Sequence, residues 1–216
     1  MKILFVVIVS LCALYLTGCK SDQDKNNANY TAYETNYTNN QENHINIVTD
    51  GNDINTEIKQ NKAETELATF STKIMYKDEN REHNMSLTCS KLNGIIVKQG
   101  EIFSFCNTVG KATAEAGYKE ADIFDKEGNV KKGYGGGNCQ VSSTLYNAIL
   151  QIPNLEVIER HEHSRKVNYV ESGKDAAVAY GSIDFRFKNE NDYDIKIYSE
   201  TTENTVDIRI VKLENV

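Results

Sequence analysis

The chain has 216 residues, with 24 Lys and Arg against 31 Asp and Glu for a formal net charge of −7, 12 Tyr, no Trp and a single Pro. That length allows one or two domains. The acidic balance excludes the basic stripe that a nucleic-acid partner needs, so none is expected.

Lys2 opens a short positive segment, and residues 3–16 form an apolar run too short for an ordinary spanning helix. Leu16-Thr17-Gly18-Cys19 follows, and a small-residue pair before a cysteine at this position resembles the bacterial lipobox. It implies cleavage before Cys19 and lipid attachment to its sulfur, so residues 1–18 are expected to be a lipoprotein signal peptide. More than one acyl chain anchors stably, which places the protein on the extracytoplasmic face of a bacterial membrane. Of five cysteines, Cys12 leaves with the signal and Cys19 carries lipid. Cys89, Cys106 and Cys139 remain, an odd number that leaves at least one thiol unpaired, with Cys89–Cys106 as one open pairing.

Residues 20–62 hold 11 Asn among 43 residues with no apolar period. Such a segment buries too little to offset its ordering entropy, and as a coil it reaches roughly 35–40 Å. Residues 19–62 are thus read as a lipidated tether, and 63–216 as the folded domain.

In that domain, Phe70 to Ile74 reads as a strand, and residues 80–84 as polar and irregular. A short helix is expected from an Asn84 N-cap, with Met85, Leu87, Cys89 and Leu92 inward and Gly94 as its stop. Residues 95–97 and 102–105 read as strands around a turn at 98–101. The charged stretch 111–132 reads as surface with a hairpin near Lys126-Glu127-Gly128-Asn129. Gly133-Tyr134-Gly135-Gly136-Gly137-Asn138-Cys139-Gln140-Val141-Ser142-Ser143-Thr144-Leu145-Tyr146 then places glycines before one cysteine, followed by hydroxyls and apolar residues at helical period. Cys139 therefore belongs at a helix N-terminus, where free amides and the dipole favour a thiolate, and the helix runs to about Gln151 before Pro153. From Val157 the period is two: strands at 157–161, 176–180, around Ile183/Phe185/Phe187, and a final pair at Ile195/Ile197 and Val206/Ile208/Ile210. A helix followed by strands gives α+β with an antiparallel sheet, the Cys139 helix packed on it.

A cysteine nucleophile needs a base. His161 and His163 share one face of an extended segment, while His83 sits in a polar loop. Asp175 and then Asp184 follow as candidates to orient the imidazole. Cysteine at a helix N-terminus, histidine on a following strand and a later acid is the order of elements in papain-like and NlpC-type cysteine hydrolases. On this chemistry Cys139, His163 and Asp175 are the first candidates, with His161 and Asp184 behind them. Gly136, Gly137, Gln140, Ser142 and Arg160 are candidates to bind substrate or an oxyanion. A zinc site from Cys139, His161 and His163 competes but lacks a second ligand pair at metal spacing, so neither metal nor cofactor is expected. The non-catalytic alternative has the glycine loop and helix N-terminus cradling a carboxylate without turning it over.

The stretch Gly135-Gly136-Gly137-Asn138-Cys139-Gln140-Val141-Ser142-Ser143-Thr144-Leu145-Tyr146-Asn147-Ala148 is very similar to the signature of the VanW family. The similarity continues through Phe70-Ser71-Thr72, Asn80-Arg81, Asn84, Leu92-Asn93-Gly94, Gly100 to Phe105 and Val109-Gly110. It extends downstream over Glu159-Arg160, His163-Ser164, Tyr169, Gly173, Asp175-Ala176 and Asp184, so about residues 68–198 are covered. Gln99 stands where proline is usual, and Cys106 where asparagine is usual. The resemblance implies a cell-envelope protein associated with vancomycin resistance. With the site chemistry, it points to a cysteine hydrolase or transferase acting on peptidoglycan peptides, or to a module that binds them.

Overall fold

The computed structural model describes residues 63–124 and 127–214. The expected signal peptide, Cys19 and the tether lie outside the described residues.

The core is a four-stranded antiparallel sheet in the order β1 (Glu64–Lys73), β9 (Thr205–Leu213), β8 (Ile195–Thr201), β2 (Ile95–Val97). A second sheet places β7 (Arg186–Asn189) between β3 (Ile102–Ser104) and β6 (Leu155–Glu159). A hairpin of β4 (Glu120–Phe124) and β5 (Val130–Tyr134) stands apart from both. Every pairing is antiparallel. Two helices cover the larger sheet: α3 (Asn138–Ile149) lies on β1 and β9, and α1 (Glu79–Leu92) lies on β8 and against α3. A five-residue helix, α2 (Phe105–Val109), follows β3. The α+β class with antiparallel sheets is as the sequence implies.

Alternation explains the final strands. Ile195, Ile197, Val206, Ile208 and Ile210 are buried while the residues between them are half-exposed, so each strand turns one face to the helices. Phe187 stacks on Phe103 at 4.9 Å between ring centroids, and Phe185 meets Tyr146 of α3 edge-on at 5.6 Å. Cys89 is buried in the core, as its place on α1 suggests.

The structure departs from the sequence reading in three places. α1 begins six residues earlier than an Asn84 cap allows: Asp78 is the cap, accepting from the Arg81 amide at 2.8 Å, with Glu79 and Glu82 in the first turn. Asn84 is instead fully buried inside the helix; its side chain accepts from the Lys119 amide and donates to the Lys119 carbonyl, each at 2.8 Å, and to the Gly136 carbonyl at 3.3 Å. Residues 176–180 form no strand and make only single bridges, His161 to Ala177 and Ala179 to Ile183. Phe105 begins a helix rather than ending a strand, because Ser104 caps it through the Asn107 amide.

The glycine loop is a close-packing device. A Cβ on Gly136 would sit 2.8 Å from both the Ala121 Cβ and the Asp122 carbonyl oxygen; one on Gly137 would sit 2.6 Å from the Met85 Cγ, at a φ of +108°. Gly136→Ala is therefore expected to cost about 1–3 kcal/mol, read from the urea midpoint. An unchanged midpoint would show that the loop has slack.

Candidate functional site

Cys139 occupies the first turn of α3, entered through Gly137, which provides no side-chain cap. The Asn138 amide donates to the Gly135 carbonyl at 3.0 Å and the Gln140 amide to Gly137 at 2.9 Å, whereas the Cys139 amide finds no acceptor among the described residues. It is a free donor beside the sulfur, at the positive end of the helix. The hydroxyls that follow have another task. Ser142 Oγ donates to the Ala176 carbonyl at 2.5 Å; Ser143 Oγ accepts from the Ala176 amide at 2.9 Å and donates to the Cys139 carbonyl at 2.7 Å. Together they clasp the 175–178 segment against the helix. Val178 then meets the thiol itself: its amide donates to Cys139 Sγ, and the thiol donates to its carbonyl, both at 3.5 Å.

That clasp brings Asp175 to His163. The Asp175 Oδ2 accepts from both the His163 amide, at 2.7 Å, and the ring Nδ1, at 2.6 Å. Oδ1 accepts from Arg160 Nη2 at 3.0 Å, and Arg160 Nε donates to the Asp175 carbonyl at 2.5 Å. Arg160 also lies over the Tyr146 ring, 5.3 Å from its centroid. The side chains of His163 and Asp175 are each only 9% exposed, so the pair is shielded from solvent screening. Burial works against charge on His163, but a side-chain hydrogen bond and charge interaction with Cys139, followed by those with Asp175, raise its pKa above the ordinary imidazole value. For Asp175, burial is outweighed by hydrogen bonds from His163, and its pKa lies below the ordinary carboxylate range. With Nδ1 held by Asp175, Nε2 is the ring nitrogen left for the sulfur. Imidazole, carboxylate and guanidinium thus stand in one row, and the sulfur bears on it by raising the His163 pKa.

The other candidates fall elsewhere. The His161 ring bonds Glu159 Oε1 at 3.0 Å, so the Cys139/His161/His163 set is not assembled. No group of three or more His, Cys, Asp or Glu suited to a metal occurs among the described residues. Asp184 accepts from the Cys106 amide at 2.9 Å, from Ser104 Oγ at 2.5 Å and from its neighbour Phe185 at 2.8 Å; it braces the start of α2 and does not orient an imidazole. Gln140 is buried, donating to Thr72 Oγ1 and the Lys73 carbonyl, so its side chain ties α3 to β1 and does not serve an oxyanion. Ser142 is likewise spent on Ala176, and Gly136 is buried. Arg160 holds Asp175, with Nη1 on Glu162. His83 bonds the Gly117 carbonyl at 2.8 Å.

Two residues that composition and spacing did not single out bear on the thiol through charge. Arg81 and Tyr169 each interact electrostatically with Cys139 and with each other. Tyr169 also lines a cavity of about 880 Å³ with Phe70, Asn147, Lys166 and Lys174, and a smaller one of about 180 Å³ opens at His163 and Asp175. The three folded cysteines are free. Burial pushes the Cys89 thiol up to about 11; burial and then the Asp184 carboxylate push Cys106 up to about 12.

These features define a class: an α+β domain whose helix N-terminus presents a thiol to an imidazole–carboxylate pair. The sequence profile described as VanW like protein matches residues 80–211, and the chain belongs to the VanW family. It is 38% identical over 144 residues to "Uncharacterized protein YoaR" of Bacillus subtilis (strain 168), covering 67% of this chain and 47% of that protein. It is 34% identical over 129 residues to "Vancomycin B-type resistance protein VanW" of Enterococcus faecalis (strain ATCC 700802 / V583), covering 57% and 46%. The chain thus spans about half the length of the curated relatives it matches. No solved structure matches it.

The raised His163 pKa stabilises the fold fully below the unfolded value of about 6.5, and that contribution is lost as pH rises through the folded value. The lowered Asp175 pKa stabilises above about 3.9 and is lost as pH falls through its folded value. The stability lost in Asp175→Asn should therefore be largest between about pH 4 and 6.5. By NMR, the His163 titration midpoint should drop in both Cys139→Ala and Asp175→Asn. A midpoint that moves in neither would dissolve the row.

Proposed function

We propose that this protein is a membrane-anchored cell-envelope enzyme, a cysteine hydrolase or transferase acting on an amide of peptidoglycan peptides through Cys139. The observation that carries this reading is the His163 imidazole fixed by Asp175, its pKa raised by the thiol of a helix N-terminal cysteine. In the first step Sγ attacks the carbonyl carbon, and the oxyanion forms against the free Cys139 amide. His163 gives its proton to the departing nitrogen as the C–N bond breaks, leaving a thioester. Water or an acceptor amine then attacks that thioester, His163 takes the proton, and the thiol is restored. Asp175, locked by Arg160, keeps the proton-bearing Nδ1 turned away so that Nε2 serves the reaction.

The envelope setting rests on two supports. One is the lipobox-like Cys19, read as a lipid anchor. The other is kinship to a relative named for vancomycin resistance, which supports a substrate in the cell wall.

At neutral pH a neutral thiol reagent should label Cys139 ahead of Cys89 and Cys106, whose burial keeps them protonated. Incubated with muropeptides and followed by mass spectrometry, the full chain should form a thioester on Cys139. Cys139→Ala should abolish product, and Asp175→Asn should lower the rate roughly 10²-fold or more. Undiminished turnover by Cys139→Ala would end the reading. Binding without thioester or product would favour a module that only holds wall peptides.

A further inference from the structure

Arg81 packs against the glycine loop, its Cγ 3.4 Å from where a Cβ on Gly137 would be, and the proposed chemistry leaves its charge unused. Its Nη2 donates to Gln140 Oε1 at 2.7 Å, and its Nη1 reaches only the Met85 sulfur at 3.5 Å. Burial lowers its pKa, while Tyr169, Asp78 and Cys139 oppose this through space, yet no carboxylate among the described residues forms an ion pair with it. Arg160, in the same site, shows the usual solution, with a carboxylate on each terminal nitrogen. A guanidinium offers five donors in a rigid fork, and most of those on Arg81 are unspent. Its backbone is not free to swing aside: the Arg81 carbonyl lies 3.2 Å from where a Cβ on Gly137 would be. Burial and then the charge interaction with Cys139 raise the Tyr169 pKa, against a side-chain hydrogen bond with Ser143 and the charge of Arg81.

We propose that Arg81 receives a carboxylate of the acyl substrate, so that Cys139 acts on peptides carrying a free carboxylate close to the reacting carbonyl. This rests on the reading of Cys139 as the nucleophile and assigns that site its substrate class. A charged partner would complete the half-buried guanidinium by a two-pronged contact that none of the described residues supplies. Tyr169, which interacts electrostatically with Arg81, lines the larger cavity, and that cavity is assigned to the remainder of the peptide.

The test is the rate of Cys139 alkylation by two reagents that differ only in charge, iodoacetate and iodoacetamide. In each, Sγ bonds to the methylene carbon and iodide leaves with the C–I electron pair. The ratio of the two rates is insensitive to changes in the sulfur itself. It should fall roughly tenfold in full-length Arg81→Gln, with Arg81→Lys retaining part of it because charge persists without the fork. In the wild type, N-acetylglycine should protect Cys139 from iodoacetamide and N-acetylglycinamide should not, a measurement that needs no variant to fold. An unchanged ratio, both rates falling together, or equal protection by acid and amide would overturn the receptor while leaving the nucleophile standing. Failure of either reagent to prefer Cys139 over Cys89 and Cys106 would overturn the nucleophile, and the receptor with it.

Discussion

One carboxylate organises the site. Asp175 receives two donors from His163 and one from Arg160, while Arg160 also holds the Asp175 carbonyl. The segment 160–185 between β6 and β7 has almost no ladder pairing, only two single bridges. Its backbone groups must be satisfied some other way. Side chains supply the difference: Ser142 and Ser143 take the amide and carbonyl of Ala176, and Asn147 takes the Lys174 carbonyl at 2.7 Å. The helix that presents the thiol is thus also the scaffold on which the imidazole segment is laid, and sulfur and ring are placed by a single set of contacts.

That economy sets the electrostatics. The two arginines have different fates: Arg160 is neutralised by Asp175 and Glu162, while Arg81 is held by neutral atoms. The row from guanidinium to imidazole has a fixed sense, because each Asp175 oxygen is committed to a named donor. In the proposed acyl transfer this leaves His163 as the group free to exchange a proton with substrate.

The regular parts of the fold were legible because they obey local rules. Period-two alternation marked β8 and β9, and glycines followed by hydroxyls marked the start of α3. The errors came where tertiary contacts overrule local preference. Asn84 looked like a cap but is a buried rivet between α1 and the glycine loop. The apolar run at 176–180 looked like a strand, but its polar backbone is spent on helix side chains and the thiol. The place of Cys139 at a helix N-terminus and the pairing of His163 with Asp175 were readable from residue chemistry and order. The positions of Gln140, Ser142 and Asp184 were not, since nothing in their spacing says that they brace the structure. Arg81 was invisible as a site residue, because an arginine in the first turn of an amphipathic helix carries no local mark of what it faces.

The tight fit of the two glycines has an evolutionary consequence. Gly136 touches the backbone of the β4–β5 hairpin, and Gly137 touches α1, so the helix N-terminus is wedged between two surface elements far apart in sequence. Neither neighbour can drift independently: enlarging Ala121 or reshaping the residue at Met85 would shift the sulfur relative to its ring. Divergence among relatives should therefore gather in the outer hairpin and the solvent-facing strands, while the hidden side chains beneath the glycines change together or not at all.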